Sequence, residues 1–215
     1  MSAPGGREMK TYPIMLDVTG RVCVVVGAGP VGRRKAEALA RAGAVVRLVD
    51  PGPSKAAPPA GVERIEAAYD PAVLDGALLV FACTDEAALN ARVAADARRA
   101  AALVNVADDP ARCDFLAAAT VADGEVVVAV GTGGSSPALA AALRRRIARQ
   151  LPDRLGEFAA ALSSVRRHVH ERTARADERK RVLTALAGEA GYEAFLRAGL
   201  AGLIEQADAD IETSP

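Results

Sequence analysis

Residues 21–26 (RVCVVV) form a short β-branched run with no polar alternation, the pattern of a strand buried on both faces. A glycine-rich turn, residues 27–32, follows. Beyond it Val31, Ala36, Leu39 and Ala42 recur at helical spacing until Gly43 stops them. Residues 44–49 (AVVRLV) repeat the buried-strand pattern, which completes a strand–helix–strand unit. A Pro/Gly-rich loop occupies 51–59. Weak alternation over 62–68 predicts a third strand, 78–82 (LLVFA) a fourth, and 102–106 a fifth that ends at 105–109. Thr84 stands where it can cap the helix before the fifth strand, with Asp85 and Glu86 in the first turn favouring the dipole. Strands alternating with helices predict an α/β fold, a Rossmann-like doubly wound parallel sheet.

After residue 115 the pattern changes. Residues 116–121 and 125–130 flank Asp123-Gly124, a hairpin signal. Residues 131–136 (GTGGSS) lead into a helix with Ser136 as cap and Pro137 at its first position, running to about Leu151 and meeting Pro152. From Asp153 onward the chain is rich in Ala, Arg and Leu and helical throughout, with a break at 188–191. The expected organisation is a dinucleotide-binding domain over 1–115, a hairpin and helix serving dimerisation and substrate over 116–152, and a small C-terminal helical domain over 153–215.

Composition narrows the function classes. The 215 residues carry 27 Lys plus Arg against 27 Asp plus Glu, so no global field draws the chain onto nucleic acid. Aromatics are 3% and Trp is absent, which argues against a base-stacking platform. Cys23, Cys83 and Cys113 are odd in number and widely spaced, suggesting neither a disulfide framework nor a zinc knuckle. This usage suits a reducing cytoplasm. Residues 1–9 lack a signal-peptide apolar region, and no apolar run approaches the ~18–20 residues of a membrane helix. A soluble cytoplasmic protein is expected.

The strongest local chemistry is Gly27-Ala28-Gly29-Pro30-Val31-Gly32. Gly-x-Gly-x-x-Gly alone is a weak signal, but here it closes a buried strand, opens a helix and precedes a second strand. Gly27 permits the tight turn, Gly29 lets the backbone approach a pyrophosphate, and Gly32 lets helix pack on strand. The helix N-terminus then offers free N–H groups to the phosphates. Asp50 ends the second strand near the spacing of a ribose-binding acid, which favours NAD over NADP; a solvated turn before Pro51 is the competing reading. Asp108, in Asn105-Val106-Ala107-Asp108-Asp109-Pro110, lies past the carboxyl end of a strand, where such sheets bind ligands and an ionised carboxylate can accept a proton. Asp-Asp-Pro is also a common turn, and local chemistry alone favours that. Residues 131–136 can cradle an anion. Arg144, Arg145 and Arg146 suit an acidic ligand but equally a solvated face. His168 and His170 read as surface residues, and no metal cage is predicted.

Several ordered motifs resemble the precorrin-2 dehydrogenases of siroheme synthesis. They are Tyr12-Pro13-Ile14-Met15-Leu16-Asp17; residues 22–32 with Arg34-Lys35-Ala36; Ala82-Cys83-Thr84-Asp85 with Leu89-Asn90; Asn105-Val106-Ala107-Asp108; Cys113-Asp114-Phe115; and Gly133-Gly134-Ser135-Ser136-Pro137. The resemblance spans about residues 12–151. It implies a homodimer, with the hairpin and following segment in the interface, that oxidises precorrin-2 to sirohydrochlorin with NAD. It places the family's essential aspartate on Asp108 as general base. Cofactor contacts fall on Pro30 and Val31 at the loop tip, on Pro51 and Gly52, and on Thr84. The substrate side falls on Asn105, Gly133, Gly134, Ser135 and Ser136. Some members also insert iron and others only dehydrogenate, and the sequence does not separate the two. Asp50 departs from the family, where that position is often small or neutral, so it rests on the ribose argument alone. With no methyltransferase part expected in this chain, another protein would methylate uroporphyrinogen. A non-enzymatic NAD-sensing module is the competing class; balanced charge and the lack of a helix-turn-helix pattern before Tyr12 count against it.

Overall fold

The computed structural model describes residues 10–53 and 57–213; residues 1–9 and the middle of the 51–59 loop lie outside the described residues. The chain divides into two compact units. One holds the residues up to Ala117 with Gly131–Pro137, the other Ala118–Val130 with the residues from Ala138.

The first unit is a five-stranded parallel sheet in the order β3-β2-β1-β4-β5, formed by β1 (Val22–Val26), β2 (Val45–Val49), β3 (Val62–Ile65), β4 (Ala77–Ala82) and β5 (Leu103–Val106). Its central strand explains the unbroken apolar run. Val24 and Val26 join one core with Val80, Val93 and Val104, while Cys23 and Val25 join a second with Ala36, Leu39 and Leu48. Alternate side chains of one strand thus fill the cores on both faces. Helix α1 (Pro30–Arg41) supplies one cover through Gly32, Ala36 and Leu39, and α2 (Ala87–Arg99) the other through Val93, Ala94 and Ala97. Strand order reverses between β1 and β4, and the crevice beyond their carboxyl ends is where such sheets hold ligands.

The second unit holds an antiparallel hairpin, β6 (Ala119–Asp123) and β7 (Val126–Val130), and helices α3 (Pro137–Ala148), α4 (Leu155–Arg172), α5 (Ala176–Leu186) and α6 (Glu189–Glu212). Phe158, Val165 and Val169 of α4 meet Val182 and Leu186 of α5 and Phe195, Leu203 and Ala207 of α6 in a third core. Among the described residues no helix is long and apolar enough to cross a membrane.

Several local expectations need correction. Glu86, not Thr84, flanks α2, so Asp85 and Glu86 precede the helix instead of filling its first turn. Helix α3 stops at Ala148, short of Leu151. The continuous C-terminal helix is broken at Thr173–Arg175 as well. There the Thr173 hydroxyl pairs with Glu178, and the Arg179 guanidinium donates to the carbonyls of Thr173 and Ala174 at 3.2 and 2.8 Å. These contacts satisfy the end of α4 and the start of α5, which an apolar repeat cannot reveal. Helix α6 also kinks at Ala198–Gly199, with Gly199 at φ +60.

Candidate active site

Four turns stand side by side along the carboxyl edge of the sheet. Backbone bonds lock them together: Gly27 N–H donates to Val49 O (2.8 Å), Cys83 N–H to Val26 O (2.8 Å) and Ala107 N–H to Ala82 O (2.9 Å). The row therefore runs from Asp50 through Gly27 and Cys83 to Asp108, one strand spacing of roughly 5 Å at each step.

The glycine turn is shaped by sterics. Gly27 has φ +101 and a side chain there would lie 2.6 Å from Cys83 O; one on Gly32 would lie 1.8 Å from Gly27 O. Neither position admits another residue without moving backbone. Gly29, by contrast, faces open space, with exposed Pro30 and Val31 beside it at the tip. Among the described residues the amides of Gly29, Val31 and Gly32 have no hydrogen-bond partner, and no side chain caps α1. Uncapped amides at a helix N-terminus, on an open glycine surface, fit a pyrophosphate.

Asp50 is half-buried and its carboxylate is already engaged. Oδ2 accepts from Ala28 N–H at 2.7 Å and Oδ1 from Gly52 N–H at 2.8 Å. The acid thus fastens the glycine turn to the Pro51–Gly52 turn, and Arg64 adds a bond of 2.5 Å to Gly52 O. Each carboxylate oxygen keeps a second lone pair with which to meet a hydroxyl. Thr84 is held by Asn90, a buried residue: Thr84 Oγ1 and N–H both donate to Asn90 Oδ1 (2.8 and 3.1 Å), and Asn90 Nδ2 donates back to Thr84 O (2.9 Å).

Asp108 differs from the two acids that follow it in the chain. Asp109 pairs with Arg112, and Asp114 pairs with Arg98 (3.1 Å) while accepting from Val104 N–H (3.0 Å). Asp108 is exposed, sits at φ +60, and makes no hydrogen bond or ion pair with any described residue. A non-glycine residue at positive φ is uncommon and stays there only when its surroundings fix it. What fixes it lies beneath. The buried Cys113 sulfur accepts from Val106 N–H at 3.2 Å and lies 3.4 Å from both Val106 O and Asp109 O. Burial pushes the Cys113 thiol above its ordinary range, so it stays a neutral brace. Asn105 points inward too, its amide donating to Phe115 O at 3.0 Å. The Gly133–Gly134 loop lies alongside: a side chain on Gly134 would meet Leu116 at 3.4 Å and Pro110 at 4.0 Å. Ser135 Oγ donates to Thr132 O (2.6 Å), and Ser136 N–H donates to Thr132 Oγ1 (3.2 Å), so this loop folds on itself next to the Asp108 turn.

The structure therefore brings Gly27, Gly29, Pro30, Val31, Gly32, Asp50, Pro51, Gly52, Thr84 and Asp108 to one edge, sets the Gly133–Ser136 loop beside the last, and keeps Asn105 inside. Sequence reasoning missed the roles of Asn90, Cys113 and Arg64, and missed Lys35. Lys35 falls on the Gly32–Ala36–Leu39 stripe of α1, and a charge on a buried stripe was the signal to follow. No group of three or more metal-ligating side chains occurs among the described residues.

Comparison with known proteins agrees with this geometry. Residues 14–119 match a family described as "Putative NAD(P)-binding", and residues 123–150 match "Sirohaem biosynthesis protein central". The Siroheme synthase of Methylobacillus flagellatus is 36% identical over 176 residues, 80% of this chain and 38% of that one. The Siroheme synthase 1 of Pectobacterium atrosepticum is 37% identical over 208 residues, 95% of this chain and 42% of that one. The chain belongs to the siroheme synthase family. It spans about two fifths of the length of these family members. The solved structure of SirC, precorrin-2 dehydrogenase, superposes with a TM-score of 0.73 at 19% identity, covering 93% of this chain and all of that one, so the fold is shared throughout. The match described as NAD(P)-binding spans the glycine turn.

Proposed function

We propose that the protein is an NAD-dependent precorrin-2 dehydrogenase that forms sirohydrochlorin. The observation that carries this reading is the unpaired, exposed Asp108 on the same sheet edge as an uncapped glycine turn. A carboxylate that no cation or amide occupies is free to meet a substrate and to accept a proton from it.

When bound, the nicotinamide supplies the acceptor for a hydride leaving the macrocycle. The chain's own residues do the rest. The amides of Gly29, Val31 and Gly32 hold the pyrophosphate, with Pro30 and Val31 against it. Asp50, with Pro51 and Gly52, receives the adenosine ribose, and its charge repels a 2′-phosphate, which selects NAD over NADP. Thr84, oriented by Asn90, lines the cofactor between the glycine turn and Asp108. Asp108 takes a proton from the ring as the hydride departs, so precorrin-2 and NAD⁺ give sirohydrochlorin, NADH and a proton. The Gly133–Ser136 loop and the Asn105 turn border the substrate.

The reading has two further parts. The hairpin is a two-stranded sheet of Val and Ala with both outer edges unpaired, and Leu139 and Leu143 of α3 are exposed; a second copy of the chain would cover such surfaces. These surfaces support the homodimer in this reading. Three free cysteines, two of them buried, suit the cytoplasm.

The test is an anaerobic assay of the purified chain with precorrin-2 and NAD. NADH and sirohydrochlorin should appear in equal amounts. A protein that binds NAD but forms neither would overturn the dehydrogenase and favour a redox-sensing role.

A further inference from the structure

Lys35 is the one residue of the α1 stripe whose presence packing does not explain. Its neighbours on that face, Gly32, Ala36 and Leu39, are buried apolar positions. The Lys35 ammonium lies 4.6 Å from the centroid of the Phe81 ring, at the end of β4, and Phe81 in turn meets Phe115 edge-on at 5.3 Å. Side chains of a helix lean toward its N-terminus, so a long one on the second turn of α1 reaches up toward the carboxyl edge of the sheet. There it lies close enough to Cys83 to act on that thiol electrostatically. The thiol is no counter-ion, because burial pushes it up to about 11. Lys35 makes no salt bridge with any described carboxylate, although it is half-buried and desolvation lowers its pKa. Folding has thus stripped water from a cation, set it on an aromatic face, and left it without an anion at the crevice.

We propose that Lys35 is an anion-binding residue of the substrate pocket, whose ammonium pairs with a carboxylate side chain of the tetrapyrrole. This deepens the dehydrogenase reading and rests on it: precorrin-2 is a macrocycle bearing eight carboxylates, and a site for it needs fixed cations. The position favours the substrate over the cofactor. The glycine turn meets the pyrophosphate with backbone amides at the tip of α1, whereas Lys35 reaches to Phe81 and the β4 side of the crevice, toward Asp108. A partly desolvated ammonium held by a ring is preorganised, so pairing with a carboxylate forfeits less hydration than it would at an open surface. Lys35 acts by orienting one edge of the macrocycle so that the carbon to be deprotonated faces Asp108.

The experiment titrates uroporphyrin, an air-stable octacarboxylate macrocycle, into the full chain saturated with NAD, and compares it with Lys35→Met and Lys35→Arg. NAD affinity and thermal stability are measured on the same preparations. Lys35→Met keeps the stem over Phe81 and removes only the charge, so its melting temperature should not fall. Its porphyrin affinity should drop roughly ten- to hundredfold, the size of a lost charge-assisted hydrogen bond. Lys35→Arg should recover most of that loss, and NAD affinity should stay within about twofold in both. With precorrin-2, Lys35→Met should raise KM more than it lowers kcat. Unchanged porphyrin affinity in Lys35→Met would overturn the assignment, as would a loss confined to NAD, which would give the charge to the pyrophosphate. Failure of the unaltered protein to bind the porphyrin at all would instead remove the dehydrogenase reading on which the proposal stands.

Discussion

Asp50 and Asp108 both follow strands at the carboxyl edge of one sheet, yet their surroundings differ in every respect. Asp50 is half-buried and anchored by two backbone amides at 2.7 and 2.8 Å. Asp108 is exposed, held in a left-handed conformation, and paired with nothing among the described residues. A carboxylate whose oxygens accept from fixed amides is held in place and acts as an architectural group. One left free on a constrained turn can gain and lose a proton. The contrast fits the proposed division of labour, with Asp50 shaping the dinucleotide seat and Asp108 doing the chemistry.

The largest expected effect tests the second half of that division. Asp108→Asn should cut turnover of precorrin-2 by about 10²–10⁴, the usual contribution of general acid–base catalysis. Asn tolerates the left-handed conformation, so the turn and the melting temperature should survive. A retained rate would show that the proton leaves by another route.

Asp50→Asn should act on the other half. Asn keeps one acceptor oxygen, so loss of one amide bond and of the charge on the other should lower stability by about 1.5–3 kcal/mol, seen as a drop of several degrees in melting temperature. NAD should bind roughly tenfold weaker while NADP loses less, narrowing the preference between them. Equal losses for both coenzymes would leave Asp50 a purely structural acid.

A smaller change addresses what holds Asp108 in place. Cys113→Ala leaves the Val106 amide buried without an acceptor, at about 1–3 kcal/mol in thermal or denaturant unfolding. Turnover should fall with NAD affinity intact, because the loosened turn carries Asp108 and not the glycine loop.

The smallest effect lies outside the site and serves as its control. His168 Nε2 lies 2.9 Å from Asp208 Oδ1, and that bond, with the nearby His168 and Arg172 charges, holds the Asp208 carboxyl below its ordinary value. An acid depressed in the folded state stabilises it above the unfolded pKa, near 3.8, and loses that contribution as pH falls through the lower folded value. Asp208→Asn should therefore flatten the acid limb of the stability curve below about pH 4, by only one or two degrees because the pair is partly exposed. Turnover and NAD affinity should not move.

The same contrast explains how much could be read from the chain. The glycine turn, the five parallel strands, the hairpin and the place of Asp50 and Asp108 were legible because each is specified locally: a Cβ clash at Gly32, an apolar run at 21–26, Asp123-Gly124 at a tight turn. The supports were not. Cys113 reaches back to Val106, Asn90 to Thr84, Arg64 to Gly52, and Glu178 to Thr173, and no periodicity encodes such side-chain-to-backbone contacts. They decide that Thr84 braces a loop instead of capping α2, and that α4 ends at Arg172. Asn105 looked like a substrate residue because it neighbours Asp108, but alternation along β5 turns its side chain inward.

Calorimetric titration of NAD into Asp50→Asn and Asp108→Asn, side by side, tests the division of labour most directly. Binding within about twofold of the unaltered protein for Asp108→Asn, with roughly tenfold weaker binding for Asp50→Asn, is the predicted result. The reverse order, with Asp108 needed for the coenzyme and Asp50 indifferent to it, would contradict the account.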